Sequence, residues 1–217
     1  MLGSELEAAL AELRLIRELR PPGNARVSRP DRHVWLRTRG EQVVASTRPS
    51  PLGPFRSRRQ AQLAARALKP DDLERPAAAL PRLRRRLQTL ADARRFEDAA
   101  RWRDRIQAVE RICGELERLD RLRNLECCVL APAAEEGYAT AVFVTGGRIA
   151  AERTLPPGGG AVLEIEAGLA AARSAGELDL DELLLVDSFL RKPPPELRVA
   201  PLAREAILLA ATQVPAG

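Results

Sequence analysis

Apolar residues recur every three or four positions near the start of the chain and predict an amphipathic helix over residues 3–20. Ser4 is a typical N-cap residue, and Glu7, three positions later, completes a capping box. The Pro-Pro-Gly run at 21–23 is expected to end the helix. The predicted apolar stripe consists of Leu6, Ala9, Leu10, Leu13, Ile16 and Leu19.

The next sixty residues alternate between strand, loop and helix patterns. Apolar residues on both sides of Gly40 predict a β-hairpin over 32–48, and the proline-rich residues 49–55 predict a loop. A helix is predicted over 57–68. Three prolines and mixed charge at 69–81 predict a linker.

Residues 82–123 have the pattern of a helical hairpin. Leu80, Leu83, Leu87 and Leu90 are spaced 3-4-3, a break follows at 93–95, and a second apolar stripe runs from Phe96 to Leu119. Such a stripe requires a partner helix, either within the chain or from another protein.

After Asn124 the pattern changes to strands and short helices. Strands are predicted over 125–130, 138–145 and 148–154, with Gly146-Gly147 as a two-residue hairpin turn. Helices are predicted over 161–174 and 202–212, whereas 183–186 fits either a buried strand or part of a helix. The chain is therefore expected to be α+β, divided into 1–66, a linker at 67–81, 82–123 and 125–217.

Charge is distributed unevenly along the chain. The net charge of +5 arises from +7 over residues 1–66, +4 over 67–124 and −6 over 125–217. A basic N-terminal half suits a polyanion such as DNA, because arginine contacts with phosphate release counterions. Since only two residues are lysines, a compositional preference for arginine is an alternative explanation.

The cysteines and the hydropathy pattern indicate in which cellular compartment the chain is expected. Cys113, Cys127 and Cys128 suit neither a disulfide framework nor a zinc site, so structural thiols in a reducing, cytoplasmic compartment are expected. No apolar run approaches the length of a membrane span, and the acidic N-terminal helix is not a signal peptide.

The N-terminal segment contains Glu7-Ala8-Ala9, Glu12, Leu15-Ile16-Arg17, Arg20-Pro21 and Asn24, and Gly53-Pro54-Phe55 and Ser57 follow later. In this order, these residues resemble the last helix of the nuclease domain in UvrC-like GIY-YIG proteins and the segment that follows it. The resemblance implies that 1–66 is the C-terminal part of such a domain, with Glu12 as the ligand of a catalytic metal and Asn24 as a further catalytic residue. It also implies DNA contacts, which we assign to Arg14, Arg17, Arg20, Arg56, Arg58 and Arg59.

The rest of that nuclease domain has no counterpart in the sequence. The only tyrosine is Tyr138 and the only histidine is His33, so the tyrosine-bearing strands, the helix with the catalytic arginine and the second, RNase-H-like nuclease of UvrC are missing. No turnover is expected from this chain alone. Binding of Mg²⁺ or Mn²⁺ as a cofactor is expected only if the complete nuclease domain is assembled. The stripe of helix 3–20 would face water unless the hairpin at 32–48 or another chain covered it, and we expect a gene fragment or a start further upstream.

A second resemblance lies in the helical hairpin. Phe96, Glu97, Ala99, Ala100, Arg103, Asp104 and Ile106 match the hallmark of the UVR motif, and residues 125–155 more loosely resemble the segment that follows it. The match implies that Phe96 closes the hairpin end and that Ala99 and Ala100 allow two helices to approach closely. Arg103 and Asp104 would then bridge to a partner, either a UvrB-like protein or another UVR hairpin.

These features together predict a DNA-repair protein of the UvrC type, acting in nucleotide excision repair without catalysis of its own. Two alternatives stay open, a non-catalytic UVR adaptor and a simple arginine-rich DNA-binding protein. DNA affinity without partner binding would favour the DNA-binding protein, and partner binding without DNA affinity would favour the adaptor.

Overall fold

A computed structural model describes residues 3–19, 33–174, 176 and 179–215. Within these ranges it contains seven α-helices and two antiparallel sheets, which confirms the α+β class. Contacts divide the chain into a central unit, residues 23–119, and a terminal unit, residues 1–22 together with 120–217. These units differ from the predicted segments, whose boundaries stay a prediction.

The terminal unit is built on a four-stranded sheet. Its strands are β4 (Cys127–Pro132), β5 (Ala139–Thr145), β6 (Arg148–Leu155) and β7 (Arg198–Ala200), in the order β6-β5-β4-β7. Its helices are α1 (Glu5–Leu19), α5 (Gly160–Arg173), α6 (Leu180–Arg191) and α7 (Arg204–Ala211). The predicted turn at Gly146 and Gly147 is confirmed, with φ of 55° and 77° as a two-residue hairpin turn requires.

Helices cover both faces of this sheet, which explains why β4 and β5 read as continuous apolar runs. One face, with Val129 and Val142, packs in a core with α1 and α6. The opposite face, with Leu130 and Phe143, packs in a core with α5 and α7. A strand that is buried on both faces loses the alternating pattern of a half-exposed one. Residues 183–186 lie in α6, which decides between the two predicted alternatives.

The N-terminal helix packs on this sheet, and the expectation that its stripe would face water is wrong for the first part of the helix. Leu6 and Leu10 are each 1% exposed and pack with residues of β4, β5 and α6. Ser4 accepts a hydrogen bond from the backbone N–H of Glu7 at 3.2 Å, and the Glu7 carboxylate accepts one from the hydroxyl of Thr140 on β5. The first part of the stripe is therefore covered by residues more than a hundred positions later in the same chain, whereas Leu19 at its end is 70% exposed.

The central unit contains a three-stranded sheet with the order β2-β1-β3. Its elements are β1 (Val34–Arg39), β2 (Gln42–Ser46), β3 (Leu52–Phe55), α2 (Arg58–Ala65), α3 (Leu80–Asp92) and the first part of α4 (Phe96–Arg123). The loop predicted at 49–55 is wrong in part, because residues 52–55 pair with β1. The predicted linker instead forms two 3₁₀ helices, Pro70–Leu73 and Pro76–Ala79, in which Pro76 and Ala79 are buried.

Candidate functional site

The helical hairpin formed by α3 and α4 is the first candidate site, because one face of α4 is exposed along the predicted motif. Phe96, Ala100, Arg103, Asp104 and Gln107 all lie exposed, and their spacing of three and four residues places them on neighbouring positions of one helix surface. We call these five residues the hairpin face. Glu97 is also exposed beside it.

The opposite side of α4 is buried within the central unit. Ala99 and Ile106 are 4% and 5% exposed, and Ile106 packs in a core that includes Leu83 and Ile112. The same core contains residues of β1, β3 and α2, so the apolar stripe of the hairpin finds its partners within the chain. This outcome was one of the two alternatives that the leucine spacing left open.

The role predicted for Phe96 is wrong. Its side chain is 68% exposed, so it does not close the end of the hairpin. The turn instead places Arg94 at a positive φ of 55° and buries Leu90. An exposed phenylalanine on a helix surface is a candidate anchor for another protein, since aromatic residues dominate the energetics of most interfaces.

One ion pair links α3 to α4 and another lies next to the turn, but two charges on the hairpin face are left without such a partner among the described residues. Arg84 on α3 contacts Glu110 on α4 at 2.6 Å, and Arg95 contacts Asp98 at 2.6 Å next to the turn. Arg103 and Asp104, in contrast, form no ion pair within the described part of the chain. Adjacent positive and negative charges of this kind can pair with the same two residues of a second, antiparallel hairpin.

The two units differ sharply in charge. The central unit has a net charge of +11 and the terminal unit a net charge of −6. The net charges therefore favour binding of a polyanion by the central unit, which also contains α3 and most of α4. The arginines predicted to contact DNA fall in both units and must be considered separately.

Arg14 and Arg17 lie in the terminal unit, where carboxylates hold both. Arg14 pairs with Glu152 and, at 2.6 Å, with Glu182. The hydrogen bond to Glu182, opposed by partial burial and reinforced by Glu152, raises the pKa of Arg14 above its ordinary value. A guanidinium that is engaged by two carboxylates is a poor phosphate ligand.

Arg17 is bound in the same way at the start of α6. It donates to Asp179 at 2.8 Å and contacts Asp181 at 3.1 Å. Asp179 caps α6 by accepting from the backbone N–H groups of Asp181 and Glu182, each at 3.1 Å. The network fastens α1 to α6 within the terminal unit.

The Asp179 pair predicts a defined dependence of stability on pH. Partial burial alone would raise the pKa of Asp179, but the hydrogen bonds from Arg17 and from the Glu182 backbone outweigh it, and the pKa lies below its ordinary value. The stabilisation is therefore present above the unfolded-state pKa of about 4 and is lost as pH falls through the lower folded-state pKa.

We expect Asp179→Asn to destabilise the protein by about 0.2–1 kcal/mol at pH 7, since asparagine keeps the helix cap but loses the ion pair. Urea unfolding at pH 7 and at pH 3 should show this difference shrinking at the lower pH. In an Arg17→Met background the pH dependence of the difference should largely vanish. An equal difference at both pH values would contradict the assignment.

The other predicted DNA contacts are Arg56, Arg58 and Arg59, which are exposed at the start of α2. Ser57 caps this helix by accepting from the backbone N–H of Gln60. Arg58 and Arg59 form no ion pair within the described residues, so their charges are available to a ligand. Arg20 lies outside the described residues.

Only one of the two residues predicted for metal-dependent catalysis lies within the described residues. Glu12 is exposed on α1, and Asn24 lies outside the described residues. Across residues 3–19, 33–174, 176 and 179–215, no group of three or more His, Cys, Asp or Glu side chains could hold a metal ion. Glu12 alone does not fit the site of a catalytic divalent cation.

Sequence reasoning missed a second basic surface in the central unit. A cleft of about 630 Å³ on the β1–β2 hairpin is lined by Arg37, Thr38, Arg39, Val44, Ala45, Ser46 and Arg48. The signal was present in the alternation of Trp35, Arg37 and Arg39 with Val34 and Leu36 along one strand. Its importance depended on knowing which face of the sheet is buried.

Comparison with known proteins identifies one motif. Residues 78–112 match the UVR motif, described as the UvrB/uvrC motif, and thus include α3 and the exposed part of α4. The match covers about one sixth of the chain. No curated protein and no solved structure matches the chain. None of the described helices combines the length and the apolar character required to cross a membrane.

Proposed function

We propose that this chain is a DNA-repair protein of the UvrC-like kind whose UVR hairpin binds a second UVR hairpin, such as that of a UvrB-like protein, while its central unit binds DNA. The observation that carries the proposal is the exposure of the hairpin face within the matched segment 78–112. The apolar side of the hairpin packs within the chain, so the exposed residues are available to contact a partner.

The chemistry of the hairpin face suits a two-fold pairing. Phe96 offers an apolar anchor, and Ala100 allows a second helix to approach closely. Arg103 and Asp104 are adjacent, so a partner hairpin that runs antiparallel can place its acid on Arg103 and its base on Asp104. Opposite charges of this kind mainly determine which partner is accepted.

The test of pairing is binding of the intact chain to a UvrB-like protein, measured by calorimetry and by light scattering after size-exclusion chromatography. We expect a one-to-one complex, or a homodimer of this chain in the absence of the partner. Phe96→Ala should weaken binding at least tenfold, since an aromatic anchor at an interface is commonly worth more than about 1.4 kcal/mol. Arg103→Glu should weaken binding as well, and a matching reversal in the partner should restore it.

The matched control is Arg85→Glu, an exposed arginine on α3 outside the hairpin face. It changes the net charge as Arg103→Glu does and should leave binding within about twofold, because isolated exposed charges contribute little. A strict monomer that ignores the partner, or equal effects of both reversals, would count against the proposal.

The resemblance of 1–66 to a GIY-YIG domain stays part of the proposal. It is supported by the order of the Glu12 helix, the β-hairpin and Gly53-Pro54-Phe55. In the structure, α1 packs against β4, β5 and α6 of the terminal unit, rather than against elements from residues 23–66. We therefore propose a non-catalytic role for this chain.

The corresponding prediction is that supercoiled plasmid stays intact in the presence of Mg²⁺ or Mn²⁺. Cleavage of a phosphodiester requires a metal site and a group that activates the nucleophile, and Glu12 alone supplies neither. Agarose electrophoresis of the plasmid after incubation with the purified chain measures the outcome. Nicking that Glu12→Ala abolishes would show that the helix acts as it does in the nuclease family.

The arginine-rich DNA-binding protein is the second candidate, and the charge of +11 on the central unit favours it. DNA binding with a steep salt dependence, combined with indifference to any UVR hairpin, would place it first.

A further inference from the structure

We propose that the outer face of the central sheet binds single-stranded DNA, with Trp35 stacking on a base and Arg37, Arg39 and Arg48 contacting phosphates. The inference rests on the proposed function for its choice of DNA as the polyanion, and it adds a site that neither the UVR match nor the predicted arginines include.

The register of the sheet defines this face. Trp35, Arg37 and Arg39 lie opposite Ser46, Val44 and Gln42, and directly opposed residues of an antiparallel pair share a face. The intervening residues Val34 and Leu36 are buried in the central core, together with residues of α2. Trp35 and the arginines therefore project from the side of the sheet opposite to the core.

Among the described residues, the positive charges on this face have no acidic partner. Arg39 and Arg48 are exposed and Arg37 is half-buried, and none of the three forms an ion pair in the part of the chain that the structure describes. The cleft of about 630 Å³ between them is lined by arginine, small polar and aliphatic residues, with no carboxylate among them. The nearest acid on the hairpin is Glu41, in the turn.

Contacts with Gly53 and His33 fix the position of the Trp35 ring, although the ring is only half-buried. Gly53 on β3 lies so close that a β-carbon at this position would approach the indole Cδ1 at 2.7 Å, so the absence of a side chain leaves room for the ring. His33 packs against the indole edge-on, with ring centroids 6.3 Å apart and an interplanar angle of 72°. The indole is half-buried and lies outside the apolar core, as a stacking platform would.

The combination of an aromatic residue with a basic groove distinguishes single strands from duplexes. A base can stack on a protein ring only when it is unpaired, whereas phosphate contacts are common to both forms. Proteins that bind single strands without sequence preference combine these two features. A purely electrostatic surface would not require the tryptophan.

The experiment uses the intact chain with Trp102→Phe, which leaves Trp35 as the only tryptophan. A fluorescein-labelled strand of fifteen thymidines is titrated and followed by anisotropy, while quenching of Trp35 by the unlabelled strand is recorded separately. We expect quenching that follows the anisotropy curve, and weaker binding of the matching duplex. Trp35→Leu should weaken single-strand binding about 5- to 100-fold, whereas Trp35→Phe should keep most of the affinity.

The arginines are tested through the salt dependence. Arg37→Gln and Arg39→Gln should each weaken binding and reduce the slope of log K against log salt by about 0.7. Arg86→Gln, at an exposed position on α3 to which no DNA contact is assigned, is the matched control and should leave both the affinity and the quenching of Trp35 unchanged. Circular dichroism of each variant verifies that the fold is retained.

Three outcomes would overturn the inference. Binding without quenching, or binding unaffected by Trp35→Leu and Arg37→Gln, would place the DNA elsewhere and leave the proposed function standing. If heparin displaced the labelled strand as effectively as unlabelled single-stranded DNA does, the surface would bind polyanions in general rather than single strands. No DNA binding at all, with UVR pairing intact, would remove both this site and the DNA-binding part of the proposed function.

Discussion

Leu10→Ala is expected to lower the free energy of unfolding of the terminal unit by about 2–5 kcal/mol. The side chain is 1% exposed and packs between β4, β5 and α6, so its truncation loses buried area and leaves a cavity. Leu15 lies on the same helix but is 52% exposed. Leu15→Ala should change the free energy of unfolding by no more than about 0.5 kcal/mol.

The two tryptophans make this test specific to one unit. Trp35 and Trp102 both lie in the central unit, so their fluorescence reports its unfolding, whereas far-ultraviolet circular dichroism reports both units. In urea we expect Leu10→Ala to shift the dichroism transition to lower concentration and the fluorescence transition much less. Identical curves for Leu10→Ala and Leu15→Ala would show that α1 does not complete the terminal unit.

Gly168→Val is expected to cost about 3 kcal/mol or more, because α5 approaches the sheet most closely at this glycine. A β-carbon at Gly168 would lie 2.3 Å from the Cε2 and Cζ atoms of Phe143, a ring that is fully buried on β5. The ring cannot move aside without displacing the core beneath α5 and α7. Overpacking of this kind commonly costs about 1–3 kcal/mol for a single methyl group, and valine adds two more carbons.

Gly114→Ala is the matched control within a helix. A β-carbon at Gly114 would meet nothing within 4 Å, so alanine should stabilise α4 by about 0.5–1 kcal/mol. In addition, Phe143→Leu should relieve part of the Gly168→Val penalty, so the double variant should be more stable than the sum of the two single changes predicts. Thermal unfolding measures all four, and strict additivity would argue against the contact.

Local patterns predicted the parts of the fold that depend on local interactions. The hairpin of α3 and α4 followed from leucine spacing, and the turn at Gly146-Gly147 followed from the need for two positive φ values. Strands β3 and β7 were not foreseen, because a strand of three or four residues is stable only through pairing with distant partners.

In the candidate site, too, the features set by local sequence were predicted and those set by distant contacts were not. The motif residues on α4 could be found from the sequence, but which of them are exposed depended on the packing of α2 and the β1–β3 sheet. Phe96 was predicted to close the end of the hairpin and is instead exposed. Arg14 and Arg17 were assigned to DNA and are held by carboxylates of α6 and β6. Net charge by segment could not reveal these partners, since they lie more than 130 positions away.

The burial of α1 against strands far along the chain has a consequence for synthesis on the ribosome. After α1 is made, 107 residues must follow before β4 begins, which takes roughly 5–20 s at common translation rates. During that time Leu6 and Leu10 have no sheet to cover them, whereas residues 33–119 can already complete their own core. The order of folding is therefore the reverse of the order of synthesis for the first helix, which waits as an exposed apolar segment and is a natural target for a chaperone.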